Sequence, residues 1–107
     1  MHAYAHITGG GLAGNAARVV PDGLEAVLDR GTWALPPAVR LLEEHGVPRA
    51  ESERAFNCGV GMVAVVAREI ADDAAAHLAA AGVPAWIAGS VEAGSGPGTA
   101  RLVGTYR

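Results

Sequence analysis

The sequence predicts a single small α/β domain, with a mixed sheet flanked by helices. Segments with strand character alternate with segments of helical periodicity, in the order β-α-β-α-α-β-α-β-β. Residues 60–67 are almost all apolar and rich in valine, which predicts a strand buried on both faces between layers of helices. A length of 107 residues allows at most one domain.

The first half of the chain predicts two strands and one helix before the first proline-rich segment. Residues 2–7 alternate weakly between apolar and polar side chains, and we expect a strand there. Apolar residues then recur at helical spacing from Leu12 to Val20, and Pro21 ends this helix. Residues 21–23 form a proline–glycine turn, which leads into a strand at residues 26–28.

The second half predicts three more helices and three more strands. A helix begins at Pro36 or Pro37, where a missing backbone N–H costs nothing, and ends at Gly46. The remaining expected elements are a helix at 50–56, the strand at 60–67, a helix at 70–81, and strands at 85–88 and 101–106.

Composition and charge argue against a nucleic-acid or membrane partner. The net charge is −3, from 8 basic and 11 acidic residues, and only 5% of the residues are aromatic. Without a basic stripe or a stacking platform, we expect no nucleic-acid binding. No apolar run reaches the roughly 20 residues of a membrane span, so we expect no membrane contact.

The cysteine and histidine residues do not predict a metal site. Cys58 is the only cysteine, and His2, His6, His45 and His77 lack the close spacing of metal ligands. We therefore expect no metal site in this chain and no intramolecular disulfide. A reducing cytoplasm fits this composition, and the N-terminal residues lack the pattern of a signal peptide.

A run of three glycines is the most informative local feature. It follows an apolar segment and precedes a helical pattern, in the sequence AHITGGGL at residues 5–12. Glycine adopts positive φ and leaves backbone N–H groups open to an anion at the start of a helix. The pattern predicts a phosphate site, and the alternative is a turn that only reverses the chain.

Several motifs in one order resemble phosphoribosylformylglycinamidine cyclo-ligase, also called aminoimidazole ribonucleotide synthetase. The resemblance covers residues 2–91, and five motifs carry it. They are HITGGGL at 6–12 followed by Asn15, RVVPDGL at 18–24, Trp33 with Pro36 and Pro37, FNCGVGM at 56–62, and WIAG at 86–89. His6, Ile7 and Thr8 favour this family over selenophosphate-type and kinase-like relatives.

The resemblance implies that residues 1–107 form a partial C-terminal domain of the synthetase superfamily. In that family the glycine run lies inside the C-terminal domain, after an N-terminal domain with most of the ATP site and the dimer core. We therefore expect a homodimer in the full-length enzyme and no activity from this chain alone.

The implied reaction is an ATP-dependent ring closure in purine biosynthesis. The small-molecule substrate is formylglycinamidine ribonucleotide, and the product is aminoimidazole ribonucleotide. ATP, with Mg²⁺, phosphorylates the formyl amide oxygen, a nitrogen of the amidine side attacks, and phosphate leaves. The Mg²⁺ ligands are expected in the absent domain. The alternative is a non-catalytic remnant or phosphate-binding interaction module with the same fold.

The residues expected at the site fall into three groups. Those expected to bind phosphate or substrate are Thr8, Gly9, Gly10, Gly11 and Asn15. His6 is a candidate general acid or base, and its alternative is a strand histidine bonded to backbone. The expected cleft-shaping residues are Asn57, Gly59 and Gly61. Their alternative role is a bulge or tight turn before the strand.

Three features depart from the family pattern. Cys58 stands where relatives carry methionine, and we interpret it as a small buried apolar side chain. Ser90 stands where they carry glutamate, and the tail from 92 to 107 does not follow the pattern. The departures at Ser90 and in the tail affect the C-terminal edge of the expected domain.

Overall fold

The computed structural model describes residues 3–7 and 10–107, and the predicted α/β alternation is confirmed in this part. The described elements are β1 (Ala3–His6), α1 (Gly11–Ala17), β2 (Leu24–Asp29), α2 (Pro37–Glu44), α3 (Arg49–Ala55), β3 (Met62–Val65), α4 (Ala71–Ala80), β4 (Gly89–Ala93) and β5 (Thr99–Val103). Short 3-10 turns at Arg30–Thr32 and Arg68–Ile70 follow β2 and precede α4.

The strands form two sheets where the sequence predicted one. The first sheet has the order β4-β2-β5, and β2 runs antiparallel to β4 and parallel to β5. This sheet confirms the predicted mixed topology. The second sheet pairs β1 with β3 antiparallel, and His6 lies opposite Met62.

The core lies around helix α1, which contacts strands of both sheets and helix α3. Prolines start α2 and α3, because Pro37 occupies the first turn of α2 and Pro48 immediately precedes α3. The clustered core side chains, all buried, are Ala5, Ile7, Leu12, Ala16, Leu28, Trp33, Leu35, Val39, Cys58, Val60 and Tyr106.

The prediction of a strand buried on both faces at residues 60–67 is wrong. Strand β3 has only four residues, and in it Met62 and Ala64 are exposed while Val63 and Val65 are half-buried. The physical reason is that the core covers one face of the β1–β3 sheet. In the described part of the chain, β1 is the only strand paired with β3.

The prediction of a strand at residues 85–88 is also wrong, because the strand β4 begins at Gly89. The Trp86 indole packs at 6.0 Å from the Trp33 ring, and its Nε1 donates to Thr32 Oγ1 at 3.1 Å. These contacts hold residues 85–88 across the end of β2. The carbonyl of Ala88 reaches the sheet there, where it accepts from the N–H of Asp29.

The last strand lies slightly earlier than predicted, and helix α4 is less covered than its pattern indicates. Strand β5 ends at Val103, after which Gly104 takes a φ of +76°. The chain then turns inward and buries Tyr106. Helix α4 forms as predicted, but it has no buried residue, and Leu78 on its apolar face is 40% exposed.

Truncation of one core leucine should cost far more stability than truncation of an exposed one. Leu12 is 2% exposed and Leu41 is 54% exposed. We expect Leu12→Ala to lower the free energy of unfolding by about 2–5 kcal/mol, because a cavity replaces its side chain. The matched variant Leu41→Ala should change it by about 0.5 kcal/mol. Urea unfolding of the 107-residue chain measures both, and equal losses would contradict this placement of the core.

Candidate functional site

The glycine run leads into α1 through a turn that only glycine accommodates. Gly10 and Gly11 have φ of +101° and +81°. A Cβ on Gly11 would lie 2.0 Å from the carbonyl oxygen of Glu53, so α1 rests directly on the backbone of α3. Thr8 and Gly9, two of the predicted phosphate ligands, lie outside the described residues.

Asn15 lies beneath this turn. Its side chain is buried, and its Nδ2 donates to the carbonyl oxygen of Gly11 at 2.7 Å. This hydrogen bond holds one backbone acceptor of the turn in place. The expectation that Asn15 faces a phosphate stays a prediction. In the structure, the buried Asn15 side chain supports the first turn of α1.

A cleft of about 420 Å³, here called the glycine cleft, opens beside the turn. Helices α1 and α3 contribute most of its walls, and β5 and the 3-10 turn after β2 contribute one residue each. The lining residues are Gly10, Ala13, Gly14, Arg30, Ala50, Glu53, Arg54 and Leu102. Two arginines and two glycines line one cleft, and each arginine is paired with a carboxylate, Arg30 with Glu53 and Arg54 with Glu51.

The wall of this cleft contains an ion pair that the sequence did not predict. Arg30 Nε and Nη2 donate to the two carboxylate oxygens of Glu53, each at 2.8 Å. The hydroxyl of Tyr106 donates to the same carboxylate. The guanidinium of Arg49 lies over the Tyr106 ring, 4.9 Å from its centroid. No spacing signal reveals this cluster, because 23 positions separate Arg30 from Glu53.

Hydrogen bonding fixes the charge of the cluster. Burial acts to raise the pKa of the Glu53 carboxyl, but hydrogen bonds from Arg30 and Tyr106 outweigh it and lower that pKa. Burial and the hydrogen bond to Glu53 raise the pKa of Tyr106 well above its ordinary value. The cluster therefore holds a guanidinium, a carboxylate and a neutral phenol near neutral pH.

A second cleft of about 370 Å³, here called the histidine cleft, contains three of the predicted site residues. His6 on β1 is exposed and lies beside β3. The lining residues are His6, Gly59, Val60, Gly61, Met62, Val83, Pro84 and Trp86. His6, Gly59 and Gly61 thus share one cleft, whereas Gly10 lines the other. The contributions of Trp86 and Val83 were not predicted from the sequence.

The predicted cleft-shaping residues form a tight turn before β3. Asn57 Oδ1 accepts from the N–H of Gly59 at 2.9 Å, and the carbonyl of Asn57 accepts from Val60 at 3.1 Å. Cys58 and Gly59 both have positive φ, +53° and +99°, as in a type I′ turn. This geometry supports the structural alternative, a tight turn into the strand, while Gly59 and Gly61 still line the cleft.

Cys58 is buried, as its interpretation as a small apolar side chain requires. Its Sγ donates to the carbonyl of Ser52 at 3.7 Å, and its own carbonyl accepts from Trp33 Nε1 at 3.1 Å. Burial raises the pKa of the thiol, which keeps it protonated and poorly nucleophilic. Cys58 therefore serves the core and the turn.

Among residues 3–7 and 10–107, no group of three or more His, Cys, Asp or Glu side chains could hold a metal ion. Over those same residues, no helix has the length and apolarity to cross a membrane.

Comparison with known proteins confirms the resemblance that the motifs indicated. The family described as AIR synthase related protein, C-terminal domain, matches residues 1–100. A Streptomyces fradiae protein provisionally named a phosphoribosylformylglycinamidine cyclo-ligase is 51% identical over 111 residues, covering 99% of this chain and 61% of that protein.

Two Anaeromyxobacter phosphoribosylformylglycinamidine cyclo-ligases are similar to the same extent. The protein of strain Fw109-5 is 51% identical over 106 residues, covering 96% of this chain and 30% of its own length. The protein of Anaeromyxobacter dehalogenans strain 2CP-1 is 53% identical over 103 residues, covering 94% of this chain and 29% of its own length. This chain therefore spans about three fifths of the length of the Streptomyces fradiae protein and under a third of the length of each Anaeromyxobacter protein.

Alanine substitutions at two glycines of α1 should act in opposite directions. We expect Gly11→Ala to lower the free energy of unfolding by at least about 2 kcal/mol, because its Cβ meets Glu53 and its φ is positive. At Gly14, a Cβ meets nothing within 4 Å, so Gly14→Ala should stabilise the helix by about 0.5–1 kcal/mol. Urea unfolding tests the pair, and a neutral Gly11→Ala would disprove the close contact.

The lowered pKa of Glu53 predicts a loss of stability in acid. An unfolded glutamate, with a pKa of about 4.3, binds a proton before the folded one does. The contribution of Glu53 is therefore complete above that pKa and disappears as pH falls through the folded value. In Glu53→Gln, the free energy of unfolding should therefore fall less between pH 7 and pH 2.5 than it does in the unmodified chain. Urea unfolding at each pH measures it.

The control for this pH experiment is Glu25→Gln, which removes the exposed ion pair with Arg101. At pH 7, we expect Glu53→Gln to cost about 1–3 kcal/mol, because it removes charge-assisted hydrogen bonds. Glu25→Gln should lower the free energy of unfolding by less than about 1 kcal/mol. Its loss of stability in acid should match that of the unmodified chain. If Glu53→Gln loses as much stability in acid as the unmodified chain does, other groups cause that loss.

Proposed function

The chain belongs to the AIR synthase related protein family, whose C-terminal domain it carries, and we propose that it is part of an ATP-dependent cyclo-ligase. The proposed reaction converts formylglycinamidine ribonucleotide to aminoimidazole ribonucleotide in purine biosynthesis. The observation that carries the proposal is the family match over residues 1–100, with relatives of that name 51–53% identical.

The chemistry needs activation of one oxygen and oriented attack by one nitrogen. ATP transfers its terminal phosphoryl group to the formyl amide oxygen and leaves as ADP. The attacking nitrogen forms the ring C–N bond, the C–O bond breaks, and inorganic phosphate departs with the oxygen. Such a reaction depends on positioning and on stabilisation of phosphate charge. We propose that polypeptide outside this chain binds most of the ATP and the Mg²⁺.

We assign the phosphate-binding role to the glycine turn. Backbone N–H groups of Gly10 and Gly11 would donate to phosphate oxygens beside the glycine cleft, which Arg54 also lines. Thr8 would add a hydroxyl donor. Asn15 supports this role indirectly, since its hydrogen bond to the Gly11 carbonyl holds the turn.

We assign proton transfer to His6 in the histidine cleft. Its exposed side chain and its place beside Gly59 and Gly61 support this role, because a substrate could approach the ring over bare backbone. The imidazole of histidine exchanges protons near neutral pH. Trp86, held by Thr32, would form an apolar wall of the same cleft.

We further propose a homodimeric enzyme in the cytoplasm. A free, buried Cys58 thiol suits a reducing compartment. Exposed apolar side chains on β1, β3 and α4, including Tyr4, Met62 and Leu78, support burial against further polypeptide of the complete enzyme.

A chimeric enzyme tests the proposed function. In the Anaeromyxobacter dehalogenans 2CP-1 relative, this chain replaces the matched segment of 103 residues. We expect the chimera to form aminoimidazole ribonucleotide from formylglycinamidine ribonucleotide, ATP and Mg²⁺. The 107-residue chain alone should give no turnover, and product from it would overturn the dependence on other polypeptide.

A pair of histidine variants in the chimera tests the role of His6. We expect His6→Asn to lower kcat by about 10²-fold or more, the usual range for a general acid or base. His77→Asn, on the exposed face of α4, should leave kcat unchanged. A folded but inactive chimera would favour the alternative, a non-catalytic phosphate-binding module with the same fold.

A further inference from the structure

We propose that Trp86, held by Thr32, binds a planar nitrogen-containing group of a ligand by stacking in the histidine cleft. The inference rests on the proposed function, because it takes this cleft as the place where a substrate meets His6. It adds which part of a ribonucleotide the cleft accepts, namely the planar group and not the phosphate.

Two successive hydrogen bonds fix the Trp86 indole. Its Nε1–H donates to Thr32 Oγ1 at 3.1 Å, and the Thr32 hydroxyl donates to the carbonyl of Asp29 at 2.8 Å. A hydroxyl has one proton and two lone pairs, so the bond to Asp29 leaves Oγ1 able to accept from the indole. Because its N–H already has a partner, Trp86 offers a ligand the surface of its ring.

Part of the Trp86 ring is accessible to a ligand. Trp86 packs on Trp33 with their ring planes tilted by 41°, yet it is 38% exposed and lines the cleft. Trp33, by contrast, is 6% exposed, and its Nε1 donates to the carbonyl of Cys58. The pair therefore consists of a buried ring that gives support and an accessible ring that borders the cleft.

The segment of residues 83–88, which contains Trp86, is anchored at both ends. The N–H of Val83 donates to the carbonyl of Leu78 in α4 at 2.9 Å, and the carbonyl of Ala88 accepts from the end of β2 at 2.7 Å. A ligand therefore meets a wall that is already in position. Binding to such a wall loses little free energy to ordering of the protein.

The chemistry of the cleft favours a planar group over a phosphate. Among the described residues that line it, none is Asp, Glu or Arg, and His6 is the only titratable side chain. A phosphate would find no guanidinium there, whereas stacking on an aromatic ring needs none. Gly59 and Gly61 line the same cleft without a side chain to fill it. The proposed reaction contains two suitable groups, the amidine end of the substrate and the adenine of ATP.

An NMR titration of the 107-residue chain separates ring binding from phosphate binding. The three probes are 5-aminoimidazole-4-carboxamide ribonucleoside, adenosine and ribose 5-phosphate. The chain has two tryptophans, so Trp86→Leu assigns their two indole N–H signals. We expect the Trp86 signal to shift with a ring compound and the buried Trp33 signal to move less. The ring compound with the lower Kd identifies which group the cleft accepts.

Two results of this titration would overturn the proposal. One is a Trp86 signal that stays fixed with both ring compounds. The other is a larger shift with ribose 5-phosphate than with either ring compound, because the cleft would then recognise the phosphate or the sugar.

Substitutions of Trp86 test whether its ring carries the binding. We expect Trp86→Leu to raise the Kd of the ring compound about tenfold or more, because stacking on an aromatic side chain is lost. Trp86→Phe should restore most of the affinity, since it keeps a ring. An unchanged Kd in Trp86→Leu, measured by calorimetry, would overturn the proposal.

Substitutions of Thr32 test its role as a positioning residue. We expect Thr32→Val to raise Kd about threefold, because the indole loses its fixed orientation. Thr32→Ser keeps the hydroxyl and should restore the Kd of the unmodified chain. The matched control is Thr99→Val, which removes another threonine hydroxyl, one bonded to Glu25 on the exposed side of β5. It should leave Kd unchanged. Equal effects of Thr32→Val and Thr99→Val would overturn the role of Thr32.

Gly61→Val keeps the proposal testable if Trp86→Leu does not fold. A Cβ on Gly61 meets nothing within 4 Å, so the added side chain is accommodated and narrows the cleft. We expect the shift of the Trp86 signal with the ring compound to disappear. A full shift in a folded Gly61→Val chain would overturn binding in this cleft.

Kinetics of the chimeric enzyme distinguish this inference from the proposed function. We expect Trp86→Leu to raise the KM of formylglycinamidine ribonucleotide or of ATP about tenfold, according to which ring binds. Its effect on kcat should be smaller than that of His6→Asn. An active chimera in which neither KM changes would overturn the stacking role and leave the proposed function intact. A folded but inactive chimera would contradict the proposed function, and the NMR titration then decides the stacking role.

Discussion

The close contact between Gly11 and the carbonyl oxygen of Glu53 is the constraint on which the rest of the structure depends. It places α1 directly on α3, and α1 in turn packs against strands of both sheets. The glycine cleft exists because these two helices meet at their backbones and leave two bare glycine surfaces beside them. Fold and candidate site therefore share one determinant.

Aromatic side chains complete the core that alanine, valine and leucine begin. Only 5% of the residues are aromatic, yet Trp33, Trp86 and Tyr106 form one contiguous group. The Trp33 and Tyr106 rings meet edge to face at 5.4 Å, a favourable geometry for aromatic pairs. This group ties three segments distant in sequence, including the C-terminal tail, to the end of strand β2.

Local patterns predicted the helices well, because proline starts and apolar periodicity act within a few residues. The strand expected at residues 85–88 was misplaced, since Trp86 packs on Trp33 across a separation that no local pattern encodes. Sequence patterns did not predict the ion pair of Arg30 and Glu53 for the same reason, because 23 positions separate the two residues. For the candidate site, the motifs identified the glycine turn and the His6 region but not their division into two clefts.

The contact at Gly11 leaves its two partners with unequal freedom to evolve. Position 11 excludes every side chain, whereas the carbonyl that it meets at position 53 is common to all amino acids. A substitution at position 53 therefore keeps the backbone contact between the helices but loses the hydrogen bonds that the carboxylate accepts from Arg30 and Tyr106. Position 11 is constrained by space, and position 53 by the chemistry of its side chain.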